Sequence, residues 1–81
     1  MTLSHDPQAD AVYITLGPGP YQWGHDLDTD RRVDFGPDNQ PIGIELLNVS
    51  QGVDPSDLPY RPALDDLLRA NGITILTPAH S

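Results

Sequence analysis

An 81-residue chain with twelve acidic residues, four Arg, no Lys and no Cys carries a formal net charge of −8, and that balance excludes whole classes of chemistry. Without lysine there is no Schiff-base nucleophile or phosphate-loop lysine, and without cysteine there are no disulfides, thiolate zinc sites or thiol nucleophiles. Nucleic acid and anionic membranes are excluded as partners of so acidic a surface, since both are bound by neutralising phosphates with Lys and Arg; a basic protein partner suits the field.

Nine prolines and seven glycines interrupt the chain at short intervals, which favours short strands and turns over long helices. Residues 3–5 read as a first short strand, turned by Asp6-Pro7-Gln8-Ala9-Asp10. Residues 12–16 follow, with Val12, Ile14 and Leu16 on one face and Ala11, Tyr13 and Thr15 on the other. Both faces are moderately apolar, which suits the middle of a sheet or a strand that meets a partner. Gly17-Pro18-Gly19-Pro20 is a turn, since its prolines have no N–H to offer a phosphate. In residues 21–28, Tyr21, Trp23, His25 and Leu27 alternate with polar or small residues, the pattern of a half-buried antiparallel strand. A tight turn at Asp28-Thr29-Asp30 leads into residues 33–35, where Val33 and Phe35 face inward and Arg32 and Asp34 outward. After a second turn at Gly36-Pro37-Asp38-Asn39-Gln40-Pro41, residues 42–47 place Ile42, Ile44 and Leu46 inward, with Gly43, Glu45 and Leu47 opposite.

The periodicity lapses over residues 51–61, a connecting loop. Pro62 suits the first turn of a helix over residues 62–71, in which Leu64, Leu67 and Leu68 form an apolar stripe and Asp65 and Asp66 face water. Asn71-Gly72 ends it, residues 73–76 form a last short strand, and residues 77–81 are a tail. The predicted architecture is α+β: one domain over residues 1–81, made of a small antiparallel β-meander of four or five short strands (3–50), one C-terminal helix and a short final strand. Its expected core is Val12, Ile14, Val33, Phe35, Ile42 and Ile44.

A chain of this length hides only about 60–65% of its extended surface, so further burial is expected from a second subunit. The expected homodimer buries the face or edge not covered by Leu64, Leu67 and Leu68, or pairs through residues 73–76; Tyr13, Leu47 and Leu76, if they share a sheet face, form an apolar patch for the helix or a second subunit to cover. The amino terminus has neither a basic start nor an apolar run, and no stretch approaches the roughly 20 apolar residues of a membrane span, so the expected location is cytoplasmic.

Asp6, Asp10-Ala11, Tyr13-Ile14, Val33-Asp34-Phe35 and Ile42-Gly43-Ile44-Glu45-Leu46-Leu47-Asn48-Val49 stand in the order of a known pattern. They resemble the small prokaryotic proteins grouped as domain of unknown function 2283: an aromatic-Asp-x-x-x-Asp-Ala-x-Tyr-Ile opening, an acidic hairpin and a Gly-Ile-Glu-Ile/Leu-Leu strand. The likeness covers residues 3–50, with His5 where the family usually has Tyr and Pro41 where it has a different strand starter. It implies a bacterial protein with a compact, largely antiparallel β fold and no established activity. Family members encoded beside small toxin-like proteins imply an antitoxin-like role.

Candidate chemistry is sparse. Asp26-x-Asp28-x-Asp30 resembles the start of a calcium loop, but Arg31 stands where the sixth-position Gly is needed and Pro37 where the bidentate Glu is needed. A solvated hairpin edge that resists edge-to-edge pairing is the better reading. His5, His25 and His80, with Asp6 or Asp26, offer zinc or nickel ligands, yet no His-x-His or His-x-x-x-His spacing orients two on one face; His25 reads as a partly buried structural residue. Glu45 is the one charge in an apolar strand, able to act as a general base if burial raises its pKa, or to bond Tyr13 or an Arg on a neighbouring strand. Ser4, Ser50, Ser56 and Ser81 lack a nucleophile elbow, and Trp23 with Tyr21 lacks the basic groove of a base-stacking platform.

No catalytic, cofactor-binding or metal-binding residue is therefore assigned. The leading expectation is a non-enzymatic structural or protein-interaction module. The alternatives are an antitoxin-like inhibitor of a basic toxin and a small hydrolase or metal-dependent enzyme using Glu45 with His25 or His5. Convergence of these side chains in one pocket favours the enzyme, and their dispersal favours the module.

Overall fold

The computed structural model describes residues 1–76. The expected tail and His80 lie outside them. Five strands, β1 (Thr2–Asp6), β2 (Ala11–Thr15), β3 (Trp23–Asp26), β4 (Arg31–Phe35) and β5 (Pro41–Leu47), precede a single 3₁₀ turn (Val49–Gln51) and one helix, α1 (Ala63–Ala70). All strand pairs are antiparallel, as the period-two pattern predicts.

The order across the sheet is β1-β2-β5-β4-β3, which corrects the expected meander: β2 neighbours β5, not β3. Proline is the physical reason. Pro18 and Pro20 can neither donate ladder hydrogen bonds nor close a two-residue hairpin, so residues 17–22 run past the end of β5 to the far edge. Three strand spacings amount to about 14 Å, within the roughly 20 Å that six extended residues span. The crossing is pinned at both ends, by Leu16 N–H to Ile42 O at 2.9 Å and Gln22 N–H to Phe35 O at 2.8 Å.

Inserting β5 places Ile44 between Ile14 and Val33 at the centre of the sheet. Val12, Ile14, Val33, Ile44 and Leu46 are buried on one face, under Val49, Val53, Leu58, Leu64, Leu68 and Ile73. Of the expected core, Phe35 and Ile42 are only half-buried. The helical stripe is as expected, with Leu64 and Leu68 buried and Leu67 half-buried. The helix ends in a Schellman arrangement: Gly72 takes φ 74°, its N–H reaches Arg69 O at 3.0 Å, and Ile73 N–H reaches Leu68 O at 3.0 Å.

Two expectations about the C-terminal third are corrected. Asp65 is buried instead of facing water, because Arg61 grips both carboxylate oxygens at 3.0 and 3.1 Å through Nε and one at 2.9 Å through Nη2. Residues 73–76 do not join the sheet. They make one parallel bridge between Ile75 and Val53, with Val53 N–H to Thr74 O and Leu76 N–H to Val53 O both at 2.8 Å. The segment thus finds its backbone partner within the chain, because Ile73 is drawn into the core by the helix end. Among the described residues no helix is long and apolar enough to cross a membrane.

Candidate functional site

The helix does not cover the whole core face, and the uncovered part is shaped by a loop that Arg31 holds. The Arg31 side chain, only 12% exposed, donates to Asp54 O at 3.1 Å, Ser56 O at 2.7 Å and the Asp28 carboxylate at 2.9 Å. The Asp54 carboxylate accepts the Ser56 backbone N–H at 3.0 Å and its hydroxyl at 2.7 Å, and these bonds hold its pKa below the usual carboxylate range. The loop so fastened brings Asp57, Leu58 and Pro59 opposite His25, Leu27, Val33, Phe35 and Pro41, lining an open pocket of about 300 Å³. Apart from His25 and Asp57 its walls are apolar. Asp57 (φ 64°) and Tyr60 (φ 63°) take left-handed backbone on either side of Leu58 and Pro59, an uncommon conformation for residues with a Cβ.

Trp23 stands beside this pocket. It stacks on Phe35 with ring centroids 4.3 Å apart and planes 12° from parallel, donates its indole N–H to Asn39 Oδ1 at 3.0 Å, and stays 41% exposed. Tyr21 turns elsewhere, accepting a hydrogen bond from Arg32 Nη2 at 2.8 Å, so the two aromatics share no stacking platform. His25 lines the pocket as an exposed residue, which corrects its reading as partly buried: β3 is an edge strand beyond the reach of the helix.

The opposite face of the sheet is polar. Tyr13 lies across Gly43 and donates to Asp34 Oδ2 at 2.9 Å; Arg32 lies across Gly24 and donates to Asp34 Oδ1 at 3.1 Å and Asp26 Oδ1 at 3.4 Å. A Cβ at either glycine would overlap the side chain that crosses it. Burial, then the hydrogen bond to Asp34, then the charges of Asp34 and Glu45 push the Tyr13 hydroxyl up to about 12. Tyr13 is therefore a neutral donor at physiological pH and not a base or nucleophile.

This proton has a thermodynamic consequence. Since the folded state holds it more tightly than an unfolded chain would, its stabilisation is complete below pH 10 and is lost as the pH rises from 10 towards 12. An alkaline titration should find a tyrosine ionising near pH 12 that is missing in Tyr13→Phe, and that variant should lose the matching component of alkaline destabilisation; a titration near pH 12 unchanged by Tyr13→Phe would contradict the geometry.

The structure disperses the remaining candidates. Glu45 is exposed on the polar face between Tyr13 and Arg32, whereas His5 pairs with buried Val12 and His25 with buried Val33 on the other face, so Glu45 meets neither histidine. Among the described residues no three His, Asp or Glu side chains gather as metal ligands. The expected apolar patch is not formed: Tyr13 belongs to the polar network, while Leu47 and Leu76 line a separate hollow with Asp28 and Asp30. Ser50 and Ser56 spend their hydroxyls on Asp10 at 2.6 Å and Asp54 at 2.7 Å. The hairpin acids are likewise engaged: Asp28 accepts the Asp30 N–H at 2.9 Å and Asp30 accepts Asn48 Nδ2 at 2.8 Å.

A family model described as a protein of unknown function, DUF2283, matches residues 3–50. The chain belongs to this family. In this DUF2283 sheet the motif residues hold the fold: Asp6 accepts the N–H groups of Gln8 and Ala9 at 3.1 and 3.2 Å, Asp10 ties the β1–β2 turn to Ser50, and Tyr13 bridges to Asp34 over Gly43. The DUF2283 match ends before the loop and helix, so three of the eight pocket-lining residues, Asp57 to Pro59, lie beyond it. No curated protein and no solved structure matches the chain.

Sequence reasoning missed Arg31 as a loop anchor and residues 57–59 as a pocket wall. The available signal was the excess of turn formers and apolar residues in Asp54-Pro55-Ser56-Asp57-Leu58-Pro59, too apolar at Leu58 for a solvated linker.

Proposed function

We propose that this chain is a non-enzymatic protein-interaction module that receives an apolar side chain of a basic partner. The observation that carries the reading is the apolar pocket of about 300 Å³ next to the half-exposed Trp23–Phe35 stack, on a molecule of charge −8. Aromatic anchors in pockets concentrate binding energy, and the acidic field steers and selects a basic partner. A basic toxin covered by this surface is one partner of that class. The homodimer stays within the proposal on narrower ground: the face without the helix is polar, which leaves the β1 edge for a second copy.

Random-peptide display against the folded chain tests the reading. Enriched sequences should combine Arg or Lys with an apolar residue and should not be retained by His25→Trp, which fills the pocket from an exposed position. Enrichment of acidic sequences, or equal retention by the variant, overturns the assignment. Light scattering of the free chain that returns a monomer removes the dimer.

A further inference from the structure

The pocket lies beside an open sheet edge. Leu27 N–H donates to Arg31 O at 2.8 Å, so by the alternation of an antiparallel ladder His25–Val33 is a hydrogen-bonded pair, and Asp26–Arg32 and Gly24–Asp34 are not. The backbone groups of Gly24 and Asp26 therefore point away from β4, on the outer side of a strand that has no second neighbour in the sheet among the described residues.

We infer that β3 is completed by an extended segment of a partner protein whose residues alternate between basic and apolar, the apolar ones entering the pocket beside His25 and the basic ones meeting Asp26 on the other face. The inference rests on the interaction reading and adds its mode and the partner's pattern. Backbone pairing with Gly24 and Asp26 supplies affinity without regard to sequence, and side chains on alternate faces supply selection. A residue opposite His25 places its Cβ about 5 Å away on the face that carries the pocket, within reach of Leu27 and Phe35.

On the other face the Asp26 carboxylate is 68% exposed and, among the described residues, held by a 3.4 Å contact to Arg32 alone, open to a cation from the added strand. The same charge makes the edge selective. Asp26 and Asp28 repel the edge of a second acidic chain and attract an Arg-bearing one, so the device that guards this strand against self-pairing also chooses its occupant.

The test uses the full chain, nitrogen-15 labelled, and a blocked synthetic peptide alternating Arg with Val around a central Phe. Binding should protect the Gly24 and Asp26 amides from hydrogen exchange, change the fluorescence of Trp23, the only tryptophan, and weaken with salt. Methylating alternate peptide amides should abolish binding, and a Glu-for-Arg peptide should not bind. Asp26→Lys, at an exposed position that leaves the fold intact, should weaken binding by about tenfold or more. Pocket resonances that shift without protection at Gly24 and Asp26, or an N-methylated peptide that binds as well, overturn strand addition while leaving the interaction reading standing. No binding of the alternating peptide overturns strand addition as well, and the display experiment then decides the broader reading separately.

Discussion

Ile44→Ala is expected to remove a large share of the chain's stability. Ile44 is fully buried at the centre of the sheet, with Ile14 and Val33 as its cross-strand neighbours, so truncation opens a void that neither flanking strand can fill without giving up its own pairing. Such substitutions cost about 2–5 kcal/mol. At roughly 0.05–0.15 kcal/mol per residue, a chain of this length has about 4–12 kcal/mol in all. Urea melts should show the midpoint collapse, while Leu47→Ala, at a 38% exposed position on the other face of the same strand, should shift stability by about 0.5 kcal/mol or less. Equal effects at the two positions would mean that the sheet is not packed on the face described.

Gly43→Ala is the second large effect, and its sign is the informative part. Glycine inside a strand is ordinarily a liability of about 0.5–1 kcal/mol relative to alanine, so the change should stabilise an unobstructed strand. Here the new methyl falls on the Tyr13 hydroxyl, and Tyr13 must swing away from Asp34, losing its hydrogen bond and uncovering a half-buried ring. A loss of about 1–3 kcal/mol is expected. In a Tyr13→Ala background the obstruction is gone, and Gly43→Ala should become neutral or stabilising. A penalty of the same size in both backgrounds would exclude the crossing tyrosine as the cause.

Both results turn on β5, and β5 shows where local pattern is informative. Alternation assigned the inward set Ile42, Ile44 and Leu46 from sequence, because a strand shows its two faces in a period of two whatever its neighbours are. Nothing in that period names the neighbour. The insertion of β5 between β2 and β4 depends on a connection that crosses the end of the sheet, and its trace, two prolines in four residues, reads equally as an ordinary turn.

The same division holds for single side chains. The helical stripe of Leu64, Leu67 and Leu68 was legible because packing repeats at helical spacing within one element. The burial of Asp65 was not, since it depends on Arg61 folding over it from the preceding loop. The exposure of His25 likewise depends on how far the helix reaches.

The sequence alone determined the family, the antiparallel β content, the inward residues of β2, β4 and β5, the helix and its stop, and the acidic net charge. These are properties of composition and of short-range periodicity, which need no knowledge of what packs where. Only the tertiary structure decided the strand order, the separation of Glu45 from His5 and His25, the Tyr13–Asp34–Arg32 network and the pocket walled by residues 57–59. Each of these joins segments through contacts whose partners are far apart in the chain, and such contacts leave no period in the sequence to read.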